Sequence, residues 1–205
     1  MRSRAAAATL SQAGFKKAYS MEGGIRAWKG LVAKGAPESG MAYFSPAAKP
    51  EELIALAWAL EGGSRKFYSE LAAALKDPEA GDLFRELTAA EDRHQASLLS
   101  LYKEMSGESS DSQFGDLTAS LGLENDVMEG GMRVSEGIKW SQGQSVAEIL
   151  ELSLALESNS YDLYLKMERQ ERERNEQRPL QVFRLLSGEE KKHLERLSSL
   201  LEKRV

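Results

Sequence analysis

The chain contains no cysteine and only two histidines, His94 and His193, among its 205 residues. The absence of cysteine excludes disulfides, zinc ribbons, thiolate-bound iron–sulfur clusters and cysteine nucleophiles. Any metal site in this sequence must therefore be built from carboxylates and these two imidazoles.

Long apolar runs and an excess of basic charge are also missing. No stretch approaches the roughly 18 apolar residues of a membrane span. The net charge of −5 argues against nucleic acid or an anionic membrane as a partner. The apolar part of residues 1–10 is mostly alanine, so we interpret it as a helix rather than a signal peptide and expect a cytoplasmic protein.

The chain divides into two regions of different charge and texture. Residues 1–44 are net basic and punctuated by glycine, whereas residues 45–205 are net acidic and carry long helical periodicity. Two prolines, Pro46 and Pro50, lie at the change. We therefore predict two domains, 1–44 and 45–205.

Four long helices are predicted in the second region from first-turn prolines, N-terminal caps and a C-terminal glycine. They are expected to run from Pro50 to about Lys76, from the Asp77-Pro78-Glu79 cap to near Gly107, from the capping box Ser145-Val-Ala-Glu148 onward, and from Pro179 to close to the C-terminus.

Residues 106–145, between the second and third predicted helices, are rich in glycine and serine. A connection this long is uncommon in compact domains, but in a four-helix bundle it joins two helices that run parallel. A disordered linker is the alternative. We expect a partly helical, docked crossover because it contains five large apolar residues: Met128, Met132, Val134, Ile138 and Trp140.

The four helices form a hairpin that occurs twice. Spacings of three and four residues, typical of a buried seam, recur along one face of each helix. The seams of the second and fourth helices are Phe84, Leu87, Glu91, His94, Leu98, Leu101 and Phe183, Leu186, Glu190, His193, Leu197, Leu200. Those of the first and third are Ile54, Ala57, Glu61, Ser64, Tyr68, Leu71 and Leu150, Ser153, Glu157, Ser160, Tyr164, Met167.

These seams place four glutamates in the predicted core. Unpaired carboxylates there cost several kcal/mol each, and no lysine or arginine occupies a seam to compensate them. Two divalent cations would balance four negative charges. One Glu from each of two helices, plus Glu-x-x-His from each of the other two, is the di-iron or di-manganese carboxylate pattern. The alternative is that the helical phases are shifted and some of the glutamates are solvated.

On these motifs, residues 50–205 resemble the ferritin-like superfamily and, within it, the rubrerythrin-like di-iron proteins. The resemblance implies a mainly α fold: a ferritin-like four-helix bundle with a long crossover. It also implies two iron ions, with manganese or zinc as substitutes, and reaction with hydrogen peroxide or dioxygen. The implied ligands are Glu61, Glu91, His94, Glu157, Glu190 and His193, with Glu91 and Glu157 or their partners bridging.

The sequence departs from rubrerythrins at two points. Ser160 stands where they usually carry a second glutamate of the third helix, which makes the set closer to bacterioferritin-type centres. They also usually carry a rubredoxin domain with four cysteines, and this chain has none. Peroxidase turnover therefore requires an external electron donor, and we also expect a homodimer.

Three features near the predicted ligands have alternative interpretations. Tyr68 and Tyr164 are candidates to hydrogen-bond ligand carboxylates or to transfer electrons, or are core tyrosines. Gly62 and Gly63 are expected either to widen the bundle beside the metals or to kink the helix. For Glu129, a surface turn is favoured over an extra mobile ligand.

The motif Gly23-Gly-Ile-Arg-Ala-Trp28 and its surroundings resemble the C-terminal part of a rhodanese domain. Residues 1–44 are therefore expected to be a small α/β rhodanese remnant, and Met1 a late start within that fold. Sulfurtransferase activity is not expected, because the family's persulfide-forming residue is a cysteine. So short a fragment also needs other protein to pack against.

The expected function is that of a non-haem di-iron oxidoreductase, a peroxidase or ferroxidase acting on peroxide or dioxygen. A non-enzymatic metal-binding or interaction module linked to sulfur metabolism is the alternative. Iron storage is a third hypothesis, which requires a hollow shell of many subunits.

Overall fold

A computed structural model describes residues 49–107, 111–120 and 126–204. This part of the chain is mainly α, as predicted, with no β-strand. Its helices are α1 (Pro50–Ala74), α2 (Pro78–Ser106), α3 (Asp111–Ser120), a 3-10 turn (Glu129–Gly131), α4 (Val134–Ser141), α5 (Val146–Arg174) and α6 (Gln177–Glu202). The rhodanese-like fragment, 1–44, and the predicted domain boundary lie outside the described residues.

The ends of the long helices follow the predicted local signals. Asp77 accepts a hydrogen bond from the backbone N–H of Ala80 at 3.0 Å, and α2 ends at Gly107 with a φ of +68°. Ser145 and Glu148 form the predicted capping box of α5. Helix α1 ends two residues before the predicted Lys76, and α6 begins two residues before Pro179. A first-turn proline is tolerated because its missing N–H has no partner within the helix.

Polar pairs between neighbouring helices define their directions. Along α2 and α6, Arg178 pairs with Glu104 at one end and Arg204 with Asp77 at the other, so these helices are antiparallel. Helices α5 and α6 form an antiparallel hairpin, with Arg184 of α6 reaching Glu168 of α5. Consequently α2 and α5, which the crossover joins, run parallel as predicted.

The crossover is docked and partly helical in its described parts, which confirms the expectation. Phe114 of α3 packs edge-on against Trp58 of α1, with ring centroids 5.3 Å apart. Met128 and Val134 are fully buried against the long helices. Trp140 is 40% exposed, so its predicted role as an anchor is wrong. It lies on the outer face of the short helix α4, whose buried positions are Val134 and Gly137.

Every residue of the four predicted seams is buried, and the most exposed of them, His193, is only 8% exposed. The apolar core consists of two clusters. One contains the first half of α1 and the second half of α2. The other contains the second half of α1 and the first half of α2. The glutamates and histidines therefore lie midway along the bundle. Within the part of the chain that the structure describes, no helix is long and apolar enough to cross a membrane.

Candidate metal centre

The six predicted ligands come together between the two hairpins, and all are buried. Helices α1 and α5 each contribute one glutamate, and α2 and α6 each contribute a glutamate and a histidine. Two further carboxylates, Glu129 and Glu189, interact with these residues. Neither of them lies in a predicted seam. Direct coordination by the six residues stays a prediction.

His94 faces three carboxylates with one nitrogen. Its Nδ1 lies 3.2 Å from Oε2 of Glu61, 3.3 Å from Oε2 of Glu91 and 3.1 Å from Oε1 of Glu190. A ring nitrogen carries at most one proton and cannot satisfy three acceptors. One donor atom from each of these four residues lies within 4.8 Å of the others, which is a spacing that a single cation can bridge.

His193 lies in a second group that overlaps the first. Its Nδ1 is 3.0 Å from Oε2 of Glu157 and 3.5 Å from Oε2 of Glu190, and Glu91 completes the group. The two imidazole rings are stacked with centroids 5.5 Å apart. Glu91 belongs to both groups and Glu190 contacts both histidines, which favours these two as the shared carboxylates, rather than Glu157.

The pKa values of the site reflect buried negative charge. Burial, reinforced by neighbouring carboxylates, raises the pKa of Glu91 well above its ordinary range and that of Glu157 to about 8. Burial opposes the charged form of His193, but the hydrogen bonds that it donates to Glu157 and Glu190 raise its pKa to about 10. At Glu190, hydrogen bonds from Glu157 and both histidines outweigh burial and lower the pKa. Without a cation, the site retains protons in its place.

Several buried oxygens at the site have no hydrogen-bond partner. Among the described residues these include Ser64 Oγ and Glu129 Oε1, while Glu91 Oε2 and Glu190 Oε1 only share the single Nδ1 of His94. An unsatisfied buried polar group costs about 1–3 kcal/mol, and more when it is charged. Carboxylate oxygens and imidazole nitrogens are suitable donors for iron, manganese and zinc. Both the missing partners and the donor set therefore fit a pair of metal ions.

Tyr68 and Tyr164 each hydrogen-bond a glutamate of the opposite hairpin. Tyr68 Oη donates to Glu157 Oε1 at 2.6 Å, and Tyr164 Oη donates to Glu61 Oε1. Ser160 Oγ lies 3.5 Å from the same oxygen of Glu61. Burial, together with these carboxylates, raises the pKa of both phenols well above 10. The geometry supports the predicted hydrogen bonding, while electron transfer through the tyrosines stays a hypothesis.

Glu189 orients His94 from the far side of the ring. Its Oε2 lies 2.9 Å from Nε2 of His94, and this hydrogen bond lowers the pKa of Glu189. A proton on Nε2 leaves the Nδ1 lone pair facing the carboxylates, as a metal ligand requires. The seam pattern did not identify Glu189 because it is 28% exposed and lies beside the seam. Its only signal is the acidic pair it makes with Glu190.

The structure gives Gly63 a contact that the sequence did not predict, and it contradicts the expected surface turn at Glu129. Helix α1 continues without a break through Gly62 and Gly63. A Cβ on Gly63 would lie 2.6 Å from the carbonyl carbon of Val127, so this glycine permits the close approach of the crossover backbone. Glu129 is not on a surface turn, because it is only 3% exposed.

A comparison with protein families gives a match over the first hairpin and the start of the crossover. Residues 52–121 match the family model of Rubrerythrin. The matched stretch carries Glu61, Glu91 and His94, and its seams recur in α5 and α6. No curated protein and no solved structure matches the chain.

Proposed function

We propose that the protein is a non-haem di-iron oxidoreductase of the rubrerythrin type that reacts with hydrogen peroxide or dioxygen. The observation that carries the proposal is the pair of overlapping buried Glu/His groups, each drawing on both hairpins. The match of residues 52–121 to Rubrerythrin supports iron as the metal. Manganese and zinc suit the same donors and are proposed as substitutes.

The six ligands divide into three pairs: two pairs that would each bind one metal ion only, and one pair that would be shared by both ions. Glu61 with His94 would hold one metal, and Glu157 with His193 the other. The two shared carboxylates, Glu91 and Glu190, would contact both. Two divalent cations bring four positive charges to four glutamates, which removes the uncompensated charge. When bound, two ferrous ions supply the two electrons that convert hydrogen peroxide to water or begin the reduction of dioxygen.

The surrounding residues keep the ligands positioned and the site dry. Tyr68 and Tyr164 hold the carboxylates of Glu157 and Glu61, and Glu189 holds the His94 ring. The two apolar clusters flank the site along the bundle and exclude water. We further propose that electrons reach the centre from a donor outside these 205 residues, and that the protein acts as a homodimer.

Anaerobic loading with ferrous iron, followed by hydrogen peroxide, tests the proposal. We expect two irons per chain and a near-ultraviolet ferric absorption after one equivalent of peroxide. The Glu91→Ala/Glu190→Ala double variant, which lacks both shared carboxylates, should give neither. Identical spectra in the two proteins would contradict the proposal.

A second measurement separates an enzyme from a metal-binding module. With excess reductant, sustained peroxide consumption supports the oxidoreductase. A single stoichiometric oxidation supports the module. Mass measurement in solution tests the homodimer and separates it from a storage shell.

A further inference from the structure

Glu129 is a buried carboxylate that the six-ligand site does not use. It begins the 3-10 turn Glu129–Gly131 within the crossover, not a long helix. Its side chain is 3% exposed, and its Oε1 has no hydrogen-bond partner. Its own backbone N–H donates to the carboxylate, which leaves most of its acceptor capacity unused. A buried, unsatisfied carboxylate needs either a proton or a cation.

The electrostatic neighbours of Glu129 are the members of the candidate metal centre. After burial, the charges of Glu61, Glu157 and Glu190 are the main causes that raise its pKa. Glu129 in turn raises the pKa values of Tyr68 and Tyr164, which hold Glu157 and Glu61. Glu129 therefore interacts electrostatically with glutamates of both hairpins.

Two close backbone approaches hold the turn between the hairpins. The carbonyl of Val127 packs against Gly63 of α1, where a Cβ would leave only 2.8 Å to the Cα of Met128. Gly130, with a φ of +77°, packs against Asn159 of α5, whose Nδ2 would lie 2.5 Å from an added Cβ.

These two docking positions are equivalent in the repeat. Gly63 follows Glu61 by two residues, and Asn159 follows Glu157 by two residues. The turn therefore contacts equivalent positions of the two hairpins, each two residues along its helix from Glu61 or Glu157.

We propose that Glu129 is a further carboxylate ligand of the metal pair, supplied by the crossover. The inference rests on the proposed function, because it requires metal ions at the centre. Glu129 lies outside the two groups whose donor atoms are mutually within 4.8 Å. As a ligand it would be the fifth carboxylate of the centre and would come from the crossover, whereas the other ligands come from the four long helices.

Anaerobic titration with Co²⁺ tests the proposal through binding and visible spectra, without activity. The proteins are the wild type, Glu129→Gln and the matched control Glu136→Gln, an exposed glutamate of α4. We expect two Co²⁺ per chain in the wild type and the control. In Glu129→Gln we expect at least one site to weaken about tenfold or more, with an altered d–d spectrum.

Three results would overturn the proposal. If Glu129→Gln binds two Co²⁺ with wild-type affinity and spectrum, Glu129 is not a ligand and the proposed function stands. If the wild type binds no Co²⁺, the proposed function and this inference fail together. Urea unfolding of the metal-free proteins supplies the third result. We expect an equal or higher midpoint for Glu129→Gln, because a buried unpartnered carboxylate is removed. A lower midpoint together with weakened Co²⁺ binding would assign Glu129 a structural role instead.

Discussion

His94 Nε2 and Glu189 Oε2 form a 2.9 Å hydrogen bond that joins the two hairpins. The repeat aligns Glu91 with Glu190, so the position equivalent to Glu189 is Ala90. Alanine cannot orient His193 in the same way. The two halves of the centre share their ligands but differ in how firmly each imidazole is held, and we expect the two metal positions to differ in affinity.

Replacing Glu189 should affect one metal position more than the other. In Glu189→Gln the carboxylate that fixes the His94 ring is lost, and removal of such a partner weakens metal binding by roughly 10–100-fold. Competition titration with Zn²⁺ should therefore show one weakened site and one unchanged site per chain. The control is Glu151→Gln, an exposed glutamate of α5. Equal weakening of both sites would contradict the expected inequivalence.

Removing the phenol of Tyr68 should destabilise the metal-free protein. In Tyr68→Phe the buried carboxylate of Glu157 loses its 2.6 Å hydrogen bond, at a cost of about 1–3 kcal/mol. Urea unfolding at constant pH measures the change in free energy. Tyr161→Phe, outside the core seam of α5, is the matched control and should change stability little. An unchanged midpoint in Tyr68→Phe would show that the hydrogen bond contributes nothing to stability.

The two adjacent glycines of α1 should respond differently to alanine. Gly63→Ala forces the crossover backbone away and should cost about 1–3 kcal/mol in the free energy of unfolding. In Gly62→Ala the new Cβ meets only the terminal amide of Gln95, at 2.7 Å, which is able to move. That clash opposes a helix-propensity gain of about 1 kcal/mol, so the net change should be small. Equal losses in the two variants would mean that crossover docking is not what Gly63 permits.

Metal-free protein should become less stable as the pH rises from about 5 to about 10. The pKa of Glu157 is raised from 4.5 to about 8, and that of His193 from 6.5 to about 10. In both windows the folded state binds more protons than the unfolded state, so the free energy of unfolding falls with pH. Glu190, whose pKa is lowered, acts oppositely only below about pH 4.5.

Metal binding should cancel this pH dependence. Ligands must be deprotonated to coordinate, so affinity rises with pH and the loaded protein keeps its stability. Urea midpoints at pH 5.5, 7 and 9, with and without Zn²⁺, measure both effects. A midpoint of the metal-free protein that rises across this range would contradict the assigned pKa directions.

Periodicity was sufficient to predict the long helices, their buried faces and the direction of the crossover. Each of the four seams contains one glutamate, such as Glu61 or Glu157, and a residue of a buried seam must itself be buried. Local caps such as Asp77 and Ser145 placed the helix starts. These features depend on contacts within a helix or on a repeat of fixed spacing, so the sequence displays them directly.

The parts of the site that the sequence did not disclose depend on tertiary packing. Glu129 lies in a connection without periodicity, and only the docking of that connection buries it. Glu189 lies beside the seam and acquires its role from a histidine of the other hairpin. The contact of Gly63 could not be predicted because its partner, the Val127 backbone, is distant in sequence.

The doubled hairpin has a consequence for how such a protein can arise. Each ligand group draws on both hairpins, so one hairpin alone holds neither complete group. Two copies of one hairpin, paired about a twofold axis, would supply the same set of ligands. The fold is thus equivalent to a dimer of one hairpin whose two subunits have been joined, and within one chain each half is free to differ from the other. Glu189 opposite Ala90, and Gly63 opposite Asn159, are two positions at which the halves differ.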